Sequence, residues 1–147
     1  MLTDLYNDKI LGFAANIERV GRLDKPDASA THRSRLCGSQ VTVDLTMKDG
    51  RVADFAHEVK ACALGQASSS IMARHVIGAT VEELEAVHDQ MEAMLKEGAP
   101  PPTGERWEEL KFLEPVREHK SRHASTMLTF GATLEAARKA AALAEAA

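Results

Sequence analysis

Aromatic side chains are scarce in this sequence and make up only 4% of its 147 residues, so the core has to be built from aliphatic, alanine and methionine side chains. Long hydrophobic runs are also missing, since nowhere do eighteen apolar residues follow one another. The first eight residues, MLTDLYND, include acidic side chains and lack the apolar segment of a secretory signal. These absences predict a cytoplasmic protein with no membrane partner.

Clustered positive charge is absent as well. The net charge is −4 and the basic residues are scattered, which argues against nucleic acid as a partner. The sequence has no glycine-rich phosphate loop, no His-Glu-x-x-His and no Gly-x-Ser-x-Gly, so the common nucleotide, zinc-protease and hydrolase motifs are excluded. The length suits one core, and we expect a single domain spanning residues 1–147.

Only two cysteines are present, Cys37 and Cys62. Their separation excludes a local Cys-x-x-C pair, so any shared site must be assembled by folding. In a reducing compartment such cysteines are more often free thiols or metal ligands than a disulfide. Burial of each as a small apolar side chain is the competing interpretation.

Two alternating segments, 41–47 and 52–59, flank Asp49-Gly50 and predict a β-hairpin. Residues 60–64 are predicted to form a third short strand, whereas residues 22–35 have no sustained period and are predicted to be a loop.

The rest of the chain predicts helices. Thr80 and Glu83 form a Thr-x-x-Glu capping box at the start of the clearest one. The predicted helical segments are 4–20, with Asp4 as N-cap and Gly21 as the stop, 66–77, 81–95, 105–113, and a final one from about residue 117. Strands followed by a run of helices indicate an α+β fold, with a small three-stranded antiparallel sheet covered on one face by helices.

Three side chains are candidates for chemistry. Cys37 precedes Gly38, which leaves its thiol on an exposed corner, and the neighbouring Arg33 and Arg35 favour a thiolate. Cys62 lies near the predicted start of a helix, whose amides stabilise negative charge. His123 lies near the start of the last helix and is the histidine best placed to act as a ligand, although a lone histidine is more often a surface or core residue.

Three motifs give the chain a resemblance to the iron–sulfur cluster assembly scaffolds, the family of IscU, SufU and the N-terminal domain of NifU. The family's Cys-Gly-Asp is similar to Cys37-Gly38-Ser39, and its Gly-Cys-Ala-Ile-Ser-x-Ala-Ser-x-Ser is similar to residues 61–70, Ala-Cys-Ala-Leu-Gly-Gln-Ala-Ser-Ser-Ser. Its Pro-Ala-Arg-x-x-Cys motif falls on residues 120–125, with Arg122 on the arginine and Ser125 on the cysteine. The similarity runs from about residue 5 to 137, and the long interval before Ser125 looks most like SufU.

The resemblance implies a scaffold or sulfur carrier. Cys37 would accept persulfide sulfur from a cysteine desulfurase of the SufS or IscS kind, with Arg122 orienting the thiolate. Cys37, Cys62 and His123 would bind a [2Fe–2S] cluster, iron or zinc. A downstream Fe–S carrier or apo-protein would receive the product. The family implies a non-enzymatic scaffold, with a zinc-dependent sulfurtransferase of the SufU kind as the enzymatic variant.

Two departures from the family pattern keep other functions open. Ser39 replaces the aspartate and Ser125 the third cysteine, so the three-cysteine-plus-aspartate pocket cannot form as such. The main alternative is a degenerate scaffold fold that binds the desulfurase as a regulator or adaptor without assembling clusters. A third option is a protein whose two cysteines hold structural zinc permanently.

Overall fold

The computed structural model describes residues 5–35 and 38–146. Three strands precede most of the helices. In chain order the elements are α1 (Asp8–Ala15), β1 (Ala28–Arg33), β2 (Gln40–Lys48), β3 (Arg51–Lys60), α2 (Ala63–His75), α3 (Val81–Glu97), the 3₁₀ segments Glu105–Glu118 and Lys120–Arg122, and α4 (His123–Ala146). Within the described ranges, none of these helices has the length and apolar character needed to cross a membrane.

The strands form one antiparallel sheet in the order β1-β2-β3. The predicted hairpin is confirmed, because β2 and β3 pair directly across Asp49-Gly50. Both turn residues adopt positive φ, 54° at Asp49 and 78° at Gly50, which matches the right-handed twist of the two strands.

The third strand lies elsewhere in the chain than predicted. It is β1, inside the segment 22–35 that was predicted to be a loop, and residues 61–64 continue from β3 into α2 instead of forming a strand. The sequence of β1 is ASATHR, and only Ala30 of it is buried, so the strand has no apolar alternation to reveal it. Its pairing with β2 is therefore set by tertiary contacts.

The two faces of the sheet differ in chemistry. Val41, Val43 and Leu45 are fully buried on one face, where α4 packs across β1 and β2. The opposite face carries polar pairs such as Thr31 and Thr42, whose hydroxyl oxygens lie 2.9 Å apart. The predicted α+β class, with helices covering one face of a three-stranded sheet, is confirmed.

Helix α1 is shorter than predicted. Asn7 is its N-cap and accepts a hydrogen bond from the Ile10 amide at 3.1 Å, and the helix ends at Ala15, well before Gly21. Asp4, the predicted cap, lies outside the described residues. The chain after Ala15 is not helical and meets β3 instead, since Val20 forms an isolated bridge with His57.

The N-cap of α3 is confirmed, because the Thr80 hydroxyl accepts from the Glu83 amide at 3.1 Å. The reciprocal half of the capping box is replaced by an ion pair in which Arg106 Nε donates to Glu83 Oε2 at 2.9 Å. The region predicted as a helix over 105–113 is a 3₁₀ segment that extends to Glu118 and contains Pro115, which has no amide to donate. The last α-helix begins only at His123.

Candidate functional site

Cys62 is the N-cap residue of α2. Its extended backbone, with φ −67° and ψ 172°, turns the chain from the end of β3 into the helix. No side chain caps the first amides of α2 within the described residues, and the Cys62 thiol is free and half-buried. The thiol therefore lies where the positive end of the helix dipole favours a negatively charged sulfur.

The side chain that meets Cys62 comes from the start of α4. Ser125 Oγ lies 3.4 Å from Cys62 Sγ, and Ser125 is only 1% exposed. The same hydroxyl donates to the Arg122 carbonyl at 3.2 Å, and Thr126 Oγ1 donates to that carbonyl at 2.8 Å. Cys62 thus has a neutral hydroxyl beside it at the position that the resemblance assigns to a third thiolate.

Gly65 allows the starts of α2 and α4 to approach so closely. A Cβ atom at residue 65 would lie 2.7 Å from the Cβ of Ala61 and 3.1 Å from the carbonyl oxygen of Ser125. Both distances are below van der Waals contact, so any larger side chain would push the two helix starts apart. This close approach was not predicted, although a glycine three residues after a cysteine, directly before a predicted helical segment, is the signal that could have indicated it.

The strand register brings the two cysteine-bearing segments to one end of the sheet. Gln40 at the start of β2 pairs with Lys60 at the end of β3, and Cys62 follows two residues later. Ser39 directly precedes Gln40 and is only 4% exposed. Leu36 and Cys37 lie outside the described residues, and the described residues that flank them, Ser34 and Gly38, are joined by a backbone hydrogen bond at this end of the sheet.

The loop between β1 and β2 is closed by its own backbone. The Ser34 amide donates to the Ser39 carbonyl at 2.8 Å, and the Gly38 amide donates to the Ser34 carbonyl at 3.1 Å. Gly38 has φ 70°, a conformation that suits glycine. The guanidinium of Arg33 donates to Gln40 Oε1, so the cation that was expected to favour a thiolate at Cys37 is bound to a neighbouring amide.

His123 has its polar contacts away from Ser125. Its Nε2 donates to the carbonyls of Val116 at 3.1 Å and Arg117 at 3.2 Å, and its ring lines a cavity of about 570 Å³ between α3 and the start of α4. Over the described ranges, no group of three His, Cys, Asp or Glu side chains is arranged to hold a metal ion. The ligand role of His123 stays a prediction.

Arg122 lies in the turn before Ser125. Its Nε is buried and has no hydrogen-bond partner among the described residues. This nitrogen therefore has the capacity to donate a hydrogen bond that no described group accepts. The role of Arg122 in orienting a thiolate also stays a prediction.

Comparisons with known proteins agree with this architecture. Residues 5–133 match the model of the NifU-like N-terminal domain family. The iron–sulfur cluster assembly scaffold protein IscU of Thermotoga maritima is 27% identical, with 92% of this chain and 94% of that protein covered.

Two solved structures have the same fold. The N-terminal part of a nitrogen-fixing NifU-like protein from Brucella abortus superposes with a TM-score of 0.93 at 60% identity, over 96% of this chain and 97% of that one. A proposed scaffold for the SUF system from Fervidobacterium islandicum AW-1 gives a TM-score of 0.82 at 20% identity, over 90% of this chain and 96% of that one, which shows likeness of fold alone. On the extent of the family match, the chain belongs to the NifU-like N-terminal domain family.

Proposed function

We propose that this chain is a single-domain, cytoplasmic iron–sulfur cluster assembly scaffold that works with a cysteine desulfurase and passes its cluster to a carrier or apo-protein. The observation that carries the proposal is the Gln40–Lys60 pairing, which brings the loop of Cys37 and the helix cap at Cys62 to one end of the sheet. The relatives described as IscU support it. A thiol at a helix N-terminus, beside a loop whose sequence contains a second cysteine, suits the binding of iron and sulfide.

Sulfur enters in this proposal at Cys37. Its thiolate attacks the outer sulfur of the desulfurase persulfide, a new S–S bond forms to Cys37, and the desulfurase cysteine leaves as a thiolate. Two electrons from an external thiol or electron-transfer protein reduce this persulfide, which releases its outer sulfur as sulfide and returns Cys37 to a thiolate. Iron bridged by that sulfide is then bound by Cys37 together with Cys62, at the start of α2. Arg122 orients the incoming anion. Zinc is the other metal that two thiolates and a histidine such as His123 would bind.

Anaerobic reconstitution tests the proposal. The protein is mixed with ferrous iron, cysteine, a cysteine desulfurase and a dithiol reductant, and iron, sulfide and the visible spectrum are measured. Wild type is expected to form a cluster, and both Cys37→Ser and Cys62→Ser to lose it. A cluster that survives in both variants would contradict the assignment. His123→Ala decides whether that imidazole is a ligand, and zinc counts on the same samples separate the two metals.

The adaptor hypothesis is the second candidate, favoured by one observation. Both positions that depart from the family motif hold buried neutral hydroxyls, at Ser39 and Ser125, and a hydroxyl binds metal more weakly than a carboxylate or thiolate. An adaptor would bind the desulfurase without retaining metal. One equivalent of metal per chain, lost in Cys62→Ala, would exclude it.

A further inference from the structure

The cavity between α3 and the start of α4 is separate from the contact between Cys62 and Ser125, since neither of these residues lines it. Its volume of about 570 Å³ is within the range of small-molecule sites in proteins. Three of the residues around it, Lys96, Lys120 and Ala124, are exposed. A dissolved molecule can therefore enter the cavity without a change of the fold.

Cations predominate around this cavity, although the whole chain is acidic. Lys96, Arg117 and Lys120 line it together with a single described carboxylate, that of Glu92, whereas the chain as a whole has a net charge of −4. Positive charge gathered in a concave site raises the local concentration of anions. The lining therefore favours a negatively charged ligand.

The ion pairs of two of these cations are long. Lys96 Nζ lies 3.9 Å from Glu92 Oε2, and Arg117 lies 3.8 Å from Glu114 and 3.7 Å from Glu118. Exposed ion pairs of this kind contribute little free energy, because water screens both charges. An anion that enters the cavity can therefore compete with these carboxylates for the two cations.

Lys120 differs from the other two cations, because no carboxylate in the ranges 5–35 and 38–146 forms an ion pair with it. It begins the short 3₁₀ turn Lys120–Arg122, and its side chain is exposed. An anion that binds its ammonium group displaces only water. Lys120 is therefore the cation to which an anionic group binds with the least competition.

Another part of the lining is apolar. Leu95 of α3 and Met127 of α4 contribute hydrocarbon and thioether surface, and Ala124 contributes only a methyl group, which leaves space between the helices. Burial of an alkyl chain against such a surface strengthens binding about fourfold for each methylene that leaves water. A simple inorganic anion would contact the cations but would make no use of this surface.

We propose that this cavity binds an amphipathic organic anion, whose carboxylate or phosphate group contacts Lys120 and whose hydrocarbon part packs against Leu95 and Met127. Lys96 and Arg117 add to the attraction for the charged group. Carboxylate and phosphate head groups share the chemistry that the lining recognises, a negative charge attached to an apolar chain. Binding here requires neither metal nor sulfur at Cys62, so it is tested on the full chain without a cluster.

The experiment titrates the full chain at low salt with octyl phosphate, octanoate, 1-octanol and inorganic phosphate. Isothermal titration calorimetry gives the affinities, and the NMR signals of the Met127 methyl group and the Ala124 amide locate the ligand. We expect both octyl anions to bind at one site per chain and to shift these signals. The alcohol and inorganic phosphate are each expected to bind about tenfold more weakly. The tighter of the two octyl anions identifies the head group of the natural ligand.

Three variants test the assignment of the residues. Lys120→Gln removes the charge that binds the head group, and we expect it to weaken the binding of octyl phosphate about fivefold at low salt. Lys111→Gln is the matched control, because it removes one exposed positive charge from the neighbouring 3₁₀ segment without touching the lining, and the affinity should not change. Met127→Gln should weaken both octyl anions and leave the binding of inorganic phosphate unchanged. Urea unfolding verifies that each variant is folded.

Equal affinities for octyl phosphate and 1-octanol would overturn the proposal, because the negative charge would then not be recognised. Equal affinities for octyl phosphate and inorganic phosphate would overturn it as well, because the apolar surface would not be used. Equal losses in Lys120→Gln and Lys111→Gln would show that binding depends on the net charge of the chain and not on this cavity. None of these results bears on cluster assembly at Cys62, so the proposed function is tested separately.

Discussion

Two polar centres lie on this sheet, at Asp44 and at Cys62, and they differ in the number of hydrogen-bond partners around them. Asp44, on the polar face, is fully buried, yet its carboxylate accepts from Arg22 Nε at 2.7 Å, Arg22 Nη2 at 3.0 Å, the Leu23 amide at 3.0 Å and Ser29 Oγ at 2.5 Å. The Cys62 thiol, at the end of the sheet, has a single side-chain hydrogen-bond partner among the described residues, the neutral hydroxyl of Ser125. A buried charge with every partner present stabilises the fold, whereas a thiol with few partners is left for a ligand.

The same hydrogen-bond partners determine the direction in which the pKa of Asp44 is shifted. Burial alone raises the pKa of its carboxyl, but the hydrogen bonds from Arg22, Ser29 and the Leu23 amide outweigh burial and hold the pKa below its ordinary value. The carboxylate thereby fixes the segment 21–23 across the polar face, on the side of the sheet that the helices leave uncovered. This region therefore contributes to the stability of the fold.

Asp44→Asn should give the largest effect, because it removes the charge while keeping the shape. Its amide group would face donors, and we expect the free energy of unfolding to fall by about 3 kcal/mol. Urea unfolding followed by circular dichroism measures it. Cys62→Ser, the matched change at the other centre, is expected to cost less than about 1 kcal/mol. An equal loss of unfolding free energy in the two variants would show that the two centres contribute equally to stability and would contradict this comparison.

Gly65→Ser tests the packing around Cys62. We expect it to show that this centre, although poor in polar partners, is tightly packed. The new side chain would collide with the Ala61 Cβ and the Ser125 carbonyl, and we expect a loss of about 2 kcal/mol in the same unfolding assay.

Ala61→Gly supplies the control for Gly65→Ser. The double variant restores the Gly-Cys-x-x-Ser spacing of the motif that the chain resembles, removes the closer of the two collisions, and should recover most of the lost stability. A double variant no more stable than Gly65→Ser would show that the Ala61 contact is not the cause.

The smallest expected effect is the contribution of His57 to the pH dependence of the free energy of unfolding. Burial lowers the pKa of its imidazole, opposed by the Nε2 hydrogen bond to the Glu18 carbonyl at 2.9 Å. The unfolded chain therefore takes up a proton near pH 6.5 while the folded chain does not, so the free energy of unfolding falls as the pH drops from about 6.5 toward the folded pKa. We expect a contribution of about 1 kcal/mol between pH 7.5 and 5.5.

The measurement is urea unfolding at both pH values in wild type and His57→Gln. Because the two proteins differ only at residue 57, the difference between their free energies of unfolding reports on His57. A pH-independent difference would contradict the assignment.

The fold could be predicted where local chemistry is strong. The hairpin followed from alternation around Asp49-Gly50, and the start of α3 followed from Thr80. Strand β1 could not be predicted, because an edge strand with small and polar side chains buries too little to leave a pattern. The extent of the 3₁₀ segment around Pro115 was missed for a related reason, since its turns depend on packing against the neighbouring helices.

The candidate site likewise has features that could be predicted from the sequence and features that could not. The position of Cys62 at a helix start could be inferred from the residues after it, and the resemblance aligned Ser125 with a ligand position. Their contact distance could not be inferred, because it depends on how closely Gly65 lets two helices approach. The hydrogen bonds of His123 to the 3₁₀ segment likewise arise only when the chain is folded.

The contact between Cys62 and Ser125 joins residues 63 positions apart, and that separation has a consequence for biosynthesis. Both cysteines are synthesised before α4, because translation runs from the N-terminus to the C-terminus. Until that last helix docks on the sheet, the emerging chain has its thiols but lacks the wall of the site that Ser125 provides. Completion of the site is thus tied to the synthesis of α4, so that the Cys62 thiol and the Ser125 hydroxyl meet only after that helix has docked.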